Sequence, residues 1–431
     1  MAYDYDLAVI GAGWAGFNAA RQAQRSGLKA CLLEKSRIGG TCLNLGCIPT
    51  KALIQSAKTY NLAKKASNFG VEISGLNFNF VKAQARKDNL IRELRQGMQA
   101  GLKGADYINS SAELKSNQEI KSAGKVISAK YIIIAAGSRP TELPGFEFDN
   151  KNILSSDQLL EIKALPQSLL IIGGGVIGCE FASLFAALGT KVAVAEKMPR
   201  LLPGEDQEVS KKIETVFKKR GIKVDTNTDA RSLSLSDYSL TLVCVGRMPV
   251  TAGLGLEGIG VKVERSAILT NEYLQTSIPN IFAAGDCTAK IMLAHFAAYQ
   301  GIVSAQNCAY PDALEKADNP AIPNCIFTDP EAASVGLSEA QANRIGIEVN
   351  LHRFDFLGSG MARILDETEG FIKIVSQRDS GEIIGAAIIG PRAAELIGIL
   401  TLAISSRLKV SQVRDTIFAH PTVSESIKEA L

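Results

Sequence analysis

Two cysteines, one histidine and two glycine-rich turns hold most of the chemistry legible in this 431-residue sequence. Cys42 and Cys47 lie in Gly39-Gly-Thr-Cys-Leu-Asn-Leu-Gly-Cys-Ile-Pro-Thr-Lys51, with four residues between them. A zinc site would require further Cys or His ligands close by, and none flanks the pair. Two inert buried thiols are one reading. The other is a redox-active disulfide. A kinked helix start ending at Gly46 would bring the sulfurs together, and a helix N-terminus lowers a thiolate pKa. Of the three histidines, His295, His352 and His420, only His420 has a distinctive setting: it precedes Pro421, and Glu425 follows five residues on. A carboxylate that accepts an imidazole N–H orients the ring and raises its pKa, which suits a base for thiols. Such pairs also arise by chance. His352, in a polar strand-like run, reads as a surface residue.

The elements that must position these groups are visible as a repeated unit. Asp6 to Ile10 reads as a strand, Gly11-Ala-Gly-Trp-Ala-Gly16 as a turn opening a helix, and Ala30 to Leu33 as a second strand ending at Glu34. Ser168 to Ile172, Gly173-Gly-Gly-Val-Ile-Gly178 and Lys191 to Ala195 repeat this pattern, ending at Glu196. First glycine and closing acid are 23 positions apart in both copies, 34 − 11 and 196 − 173. Gly11 and Gly13, like Gly173 and Gly175, permit a tight turn and close approach of backbone to a pyrophosphate. Gly16 and Gly178 let helix pack on strand, and the acid takes ribose hydroxyls. Glu196 repels a 2′-phosphate, so the second unit favours NAD over NADP, with Lys197 and Arg200 tempering that preference.

Composition narrows the field further. The length predicts two to four domains. Charged residues make up 21%, and 47 Lys+Arg against 44 Asp+Glu leave a net charge of +3, which gives no reason to expect nucleic acid. The longest uncharged run, Ile291 to Pro311, is too polar to span a membrane. The start of the chain lacks a basic region, so no signal or transit peptide is expected. Eight scattered cysteines fit reduced thiols in a cytoplasmic protein rather than a secreted disulfide framework.

Along the chain, Asn79 to Gly104 predicts a long helix and Ala105 to Lys130 a polar stretch with weak strand signals. Tyr131 to Ala135 predicts a strand running into Gly137-Ser-Arg-Pro140. Lys211 to Arg220 reads as a surface helix. Beyond Pro311, strands are expected at Phe327 to Val335, Glu348 to Phe356, Phe371 to Ser376 and Ile383 to Ile389, with helices among them. This is an α+β unit.

Together these motifs resemble the flavin-dependent pyridine nucleotide–disulfide oxidoreductases, over almost the whole chain. Within that family the likeness is to the lipoamide-oxidising members. The most specific pieces are Gly39 to Ala52 and Ala419-His-Pro-Thr-Val-Ser-Glu425. Ile281-Phe-Ala-Ala-Gly-Asp-Cys-Thr288 is similar to the second flavin motif, and Met292 to Ala297 and Thr328-Asp-Pro-Glu331 fit the same branch. The resemblance implies an α/β fold with two Rossmann-like dinucleotide-binding domains and a C-terminal α+β dimerisation domain. It places a discontinuous FAD domain at 1–145 and 271–318, a shortened NAD domain at 146–270 and an interface domain at 319–431. FAD would meet Gly11, Gly13, Gly16, Glu34, Lys51, Gly137 and Asp286; NAD would meet Gly173, Gly175, Gly178, Glu196 and Gly246. Cys42 would be the interchange thiol and Cys47 the thiol against the flavin. His420 of the partner subunit would be the base, oriented by Glu425. Lys51 and Glu180 would pair beside the flavin ring.

The implied reaction is oxidation of dihydrolipoyl groups with hydride passed to NAD. The implied partners are a second copy of the chain and the lipoyl domain of a 2-oxo acid dehydrogenase or glycine-cleavage complex. No feature distinguishes among those complexes. The chain departs from the family at Ile222 to Val245, only 24 residues where a longer strand-rich stretch is usual, so an NAD domain trimmed at its edge is expected. Phe418 stands where many lipoamide enzymes carry a second His. A glutathione- or mercuric-reductase-like enzyme is the nearest alternative. Glu196 and a C-terminal tail without a cysteine pair argue against it. A non-catalytic FAD- and NAD-binding subunit is the other alternative, opposed by the joint presence of Cys42, Cys47, His420 and Glu425.

Overall fold

Leu7 to Ile10 are buried without alternation, as expected of a parallel strand covered on both faces. The computed structural model, which describes residues 3–431, places them in a seven-stranded sheet. Its parallel part runs Asp106–Ile108, Ala30–Leu33, Tyr5–Ile10 and Lys125–Ile134, and Ile281–Ala283 joins alongside from far down the chain. The ten-residue strand Lys125–Ile134 straddles two environments. Its C-terminal half lies in the parallel sheet. Its N-terminal half pairs antiparallel with Glu119–Ser122, which pairs with Ala112–Leu114. This meander covers one face of the sheet. The other face takes helix Trp14–Arg25, against which helix Ala294–Ala309 packs closely enough that a Cβ on Gly301 would lie 2.1 Å from Ala15 O.

The second sheet has five parallel strands in the order Lys223–Asp225, Lys191–Ala195, Ser168–Ile172, Leu240–Val243 and Ile153–Leu154. The short stretch before Leu240 adds no strand to this sheet, where the first sheet carries a meander. It crosses the sheet face as two 3₁₀ turns, Ala230–Ser232 and Leu235–Asp237. Ala230, Leu233, Leu235 and Tyr238 pack there with Leu170, Ile172, Ala193, Ala195 and Val243. A strap does for this sheet what a meander does for the first. The apolar face must be covered, and the four strap side chains share that task with Leu143, Phe146 and Phe148.

The third sheet is antiparallel, in the order Asn324–Ile326, Glu331–Gly336, Ile383–Gly390, Phe371–Gln377 and Val349–Asp355, backed by helix Ala393–Ser405. The strand expected at Phe327 to Val335 begins only at Glu331, and a separate strand, Asn324–Ile326, precedes the expected start. They are separated by a break at Phe327–Pro330, where the Asp329–Pro330 bond is cis. His352 is half-buried rather than on the surface, and its Nε2 lies 2.9 Å from Ser376 Oγ. Burial lowers its pKa.

The two glycine turns are close-packed at their third glycines. A Cβ on Gly16 would lie 1.8 Å from Gly11 O, and one on Gly178 1.9 Å from Gly173 O; Gly175, by contrast, has nothing within 4 Å. Gly178→Ala should therefore destabilise the protein by about 1–3 kcal/mol, the usual range for overpacking. Gly175→Ala should leave the melting temperature unchanged. Thermal melts of the two variants check this, and equal shifts would refute it.

Candidate active site

The redox segment is built directly on the first glycine turn. Gly39 N donates to Ala12 O at 2.8 Å, and a Cβ on Gly40 would lie 2.7 Å from Gly13 Cα. Helix Gly40–Leu45 carries Cys42. Gly46 breaks the chain direction, and Cys47 opens the 18-residue helix Cys47–Lys64. A Cβ on Gly46 would stand 3.0 Å from Thr41 O, so a side chain at the break would be tightly packed. Asn44 holds the first helix from inside. Its Nδ2 donates to Ile38 O at 3.0 Å and Gly40 O at 2.8 Å, while its Oδ1 accepts from Arg95 Nη2 at 2.8 Å. Arg95 lies on helix Phe80–Ala100.

Both cysteines are free thiols, close enough that the ionisation of each depends on the other. The pair is asymmetric. Loss of the Cys42 proton beside Cys47 is disfavoured, so its pKa is pushed up; burial adds to this. The Cys47 pKa falls to about 7, first through the neighbouring Cys42 thiol and then through the Lys51 ammonium, against an opposing cost of burial. The Cys47 sulfur is open to a cavity yet ringed by protein. The Trp14 indole N–H lies beside Cys42, but too loosely for a full hydrogen bond, and it has no other partner.

Lys51, one turn beyond Cys47, reaches Glu180 Oε1 and Oε2 at 2.8 and 2.7 Å. Glu180 sits on helix Val176–Ala187 behind the second glycine turn and is 3% exposed. Its Oε1 also accepts from Phe327 N at 2.9 Å, and the Phe327 ring lies 4.8 Å from Lys51 Nζ.

A single cavity of about 1770 Å³ joins all of this. Gly11, Gly13 and Glu34 line one end, Cys42, Cys47, Lys51 and Glu180 the middle, and Gly173, Gly175 and Glu196 the other end. Gly137, Asp286 and Gly246 also line it, whereas Gly16 and Gly178 lie behind the turns. Such a volume exceeds the roughly 300–1,000 Å³ of a single small-ligand pocket. The donor set fits two dinucleotides. Each glycine turn opens a helix toward the cavity, and Gly175 leaves space where a Cβ would stand. Each acid closes its own turn: Glu34 Oε2 accepts from Ala12 N at 2.8 Å, and Glu196 Oε2 from Gly174 N at 2.5 Å. Asp286 Oδ2 accepts from Ser138 Oγ at 2.5 Å, and Ser138 Oγ accepts from Arg247 Nε at 2.8 Å, so the two dinucleotide ends are tied across the cavity.

His420 stands apart. Its Nδ1 lies 2.8 Å from Glu425 Oε2, its side chain is 80% exposed, and none of residues 418–425 lines the cavity. The His420 hydrogen bond lowers the Glu425 pKa, so Glu425 is an anion able to hold the ring. One chain thus brings together every predicted site residue except the histidine pair.

The family model for pyridine nucleotide-disulphide oxidoreductases matches residues 5–301, and that for their dimerisation domain matches residues 322–431. The chain belongs to the pyridine nucleotide-disulphide oxidoreductases. Two relatives carry the name dihydrolipoyl dehydrogenase. That of Chlamydia pneumoniae is 39% identical over 444 residues, covering 99% of this chain and 96% of the relative. That of Bacillus subtilis (strain 168) is 38% identical over 470 residues, covering 100% and 98%. Among solved structures, LpdA from Mycobacterium tuberculosis is similar with a TM-score of 0.91 at 27% identity, covering 98% of each chain. The HOCl-induced flavoprotein disulfide reductase RclA from Escherichia coli is similar with a TM-score of 0.88 at 28% identity, covering 99% of each. This oxidoreductase is a flavoprotein with FAD and NAD as its dinucleotides. No helix among the described residues is long and apolar enough to cross a membrane.

Sequence reasoning did not single out Phe327, Ser138, Asn44 or Arg95. Phe327 acts through its backbone N–H, which no residue type advertises. Asn44 lies inside the cysteine motif, so its position alone was a usable signal. The electrostatics yield a prediction. In the reduced protein, Cys47 should ionise near pH 7, its thiolate persisting above that pH and lost below it, and Lys51→Met should move the midpoint up. The pH dependence of iodoacetamide modification at Cys47 measures this; an unchanged midpoint in the variant would contradict the role of Lys51.

Proposed function

We propose that this chain is a dihydrolipoyl dehydrogenase in which Cys42 and Cys47 form the disulfide that accepts electrons from a dihydrolipoyl dithiol. Lys51, fixed by Glu180 one turn beyond Cys47, carries this reading, because its ammonium favours a thiolate at Cys47. Thiol–disulfide exchange runs faster when the departing sulfur has the lower pKa. Cys47, stabilised as an anion beside Lys51, is the better leaving group, so a substrate thiolate attacks Cys42. The first attack joins substrate sulfur to Cys42 Sγ and releases the Cys47 thiolate. The second substrate sulfur then displaces Cys42 and closes the substrate disulfide. Two protons leave the substrate thiols. His420 of the partner subunit takes the first, with Glu425 holding that imidazole in orientation, and the second ends on the displaced Cys42 sulfur, whose raised pKa keeps it a thiol. A bound FAD supplies the two-electron relay from the reduced pair to NAD.

The same reading assigns residues 1–145 and 271–318 to FAD, 146–270 to NAD and 319–431 to the subunit interface. It takes a lipoyl domain of a 2-oxo acid dehydrogenase or glycine-cleavage complex as protein partner. Gly11, Gly13, Gly16, Glu34, Gly137 and Asp286 serve the flavin; Gly173, Gly175, Gly178, Glu196 and Gly246 serve NAD. The reading also takes the cytoplasm as the enzyme's compartment, on its eight scattered cysteines. Lys51 and Glu180 stand where the two dinucleotides meet.

Cys47→Ser should abolish turnover of dihydrolipoamide while the purified protein keeps its flavin absorbance. His420→Gln should lose roughly 10²-fold or more of that turnover, the usual weight of a positioned acid–base group, and much less of NADH oxidation by an artificial acceptor. Steady-state rates with both acceptors decide. Dihydrolipoamide turnover retained in Cys47→Ser, or equal losses on both acceptors in His420→Gln, would overturn the assignment.

A further inference from the structure

The strap across the second sheet also shapes the cavity. Its start is hydrogen-bonded to the segment that follows Ala195: Thr228 N donates to Glu196 O at 2.9 Å and Asn227 N to Met198 O at 3.0 Å. Thr228, Asp229, Ala230 and Arg231 therefore form cavity wall beside Glu196 and Lys197, at the C-terminal ends of the strands. That is where the adenosine end of a nucleotide lies in this fold.

The charges here are arranged unevenly. Both Glu196 oxygens already accept backbone N–H groups, from Gly174 at 2.5 Å and Met198 at 2.7 Å. Arg200 is turned away, its Nη2 donating to Pro203 O at 2.9 Å and Glu205 O at 3.2 Å. Arg231 is the exposed guanidinium in this wall, with its side chain 74% accessible. It is held in a fork on Asp229, with Nε on Oδ1 at 2.9 Å and Nη2 on Oδ2. Lys197 lies close enough to help hold the Asp229 carboxyl ionised, after Arg231 itself.

We propose that Asp229 is a second determinant of coenzyme choice: by engaging Arg231 it withholds the guanidinium that would grip a 2′-phosphate on two prongs and leaves only the Lys197 point charge in this wall. Glu196 repels that phosphate, and Asp229 removes its natural partner. A guanidinium binds phosphate through the same two-pronged geometry with which it now binds the carboxylate, so the two compete for Arg231. The inference rests on the second glycine turn being the NAD site.

Asp229 also caps the first 3₁₀ turn, accepting from Arg231 N at 3.0 Å. Asn can keep that bond, so Asp229→Asn is the informative change. Calorimetric binding of 2′,5′-ADP and of 5′-ADP to the FAD-loaded protein reads the effect without turnover. Wild type should bind 5′-ADP in preference. Asp229→Asn should shift the affinity ratio toward 2′,5′-ADP by roughly tenfold or more, the worth of one charge-assisted contact. Asp229→Asn with Arg231→Ala should lose that gain. An unchanged ratio in the single variant, or the same gain in the double variant, overturns the proposal while leaving the NAD site intact. Failure of wild type to bind 5′-ADP at all would overturn the NAD-site reading and this proposal with it.

Discussion

The carboxylate of Glu180 is almost out of reach of solvent, and it receives Lys51 on both oxygens and Phe327 N on one. Removing one partner from a buried ion pair typically costs about 3–5 kcal/mol, because the remaining charge is left uncompensated. Three distant pieces of chain must therefore meet at this point. They are the helix that starts at Cys47, the helix behind the second glycine turn, and the break between the first two strands of the third sheet. Ser183 Oγ strengthens the join by accepting from Asp329 N at 3.1 Å, and Lys58 adds an ion pair to Glu331 at 2.5 Å. The redox pair, the nucleotide turn and the third sheet are held in one frame by groups that cannot separate cheaply.

That frame adds to the difference between the two sulfurs, which begins with their effect on each other. Lys51 is oriented by Glu180 and is thereby kept near Cys47 at the helix start. Cys42 lies on the preceding short helix, whose position is set by Asn44 and Arg95. Chemically equivalent residues thus acquire a leaving group and a point of attack from their surroundings. The Arg247–Ser138–Asp286 chain performs a similar service at the opposite wall, tying the second sheet to the first across the cavity.

Much of this was legible in the sequence because the groups that do chemistry also impose spacing. The glycine turns, their closing acids and the Cys42–Cys47 segment each need particular residues at particular intervals, and the structure brings all of them to one cavity. Three features were less legible. The strand expected from Phe327 to Val335 begins only at Glu331, since the Phe327 backbone N–H is drawn to a carboxylate 147 positions away in sequence. The short stretch before Leu240 read as a trimmed domain edge, and nothing in the residues showed that it would cross the sheet face. Its alternation of Ser with Leu233 and Leu235 carries the apolar contacts, but periodicity alone does not tell which face they cover. His352 was misplaced for a related reason: a polar residue in a strand gives no sign of the Ser376 hydroxyl waiting opposite.

The histidine pair stands outside the cavity of its own chain, so the account requires the active site to be completed by a second subunit. Subunit complementation tests this directly. Cys47→Ser and His420→Gln proteins, each inactive with dihydrolipoamide, are mixed, dissociated and reassembled. A hybrid two-fold dimer then contains one site with an intact cysteine pair and an intact histidine, so random reassortment should restore roughly a quarter of wild-type activity. No recovery in mixtures shown to contain hybrid dimers would contradict a site shared between subunits.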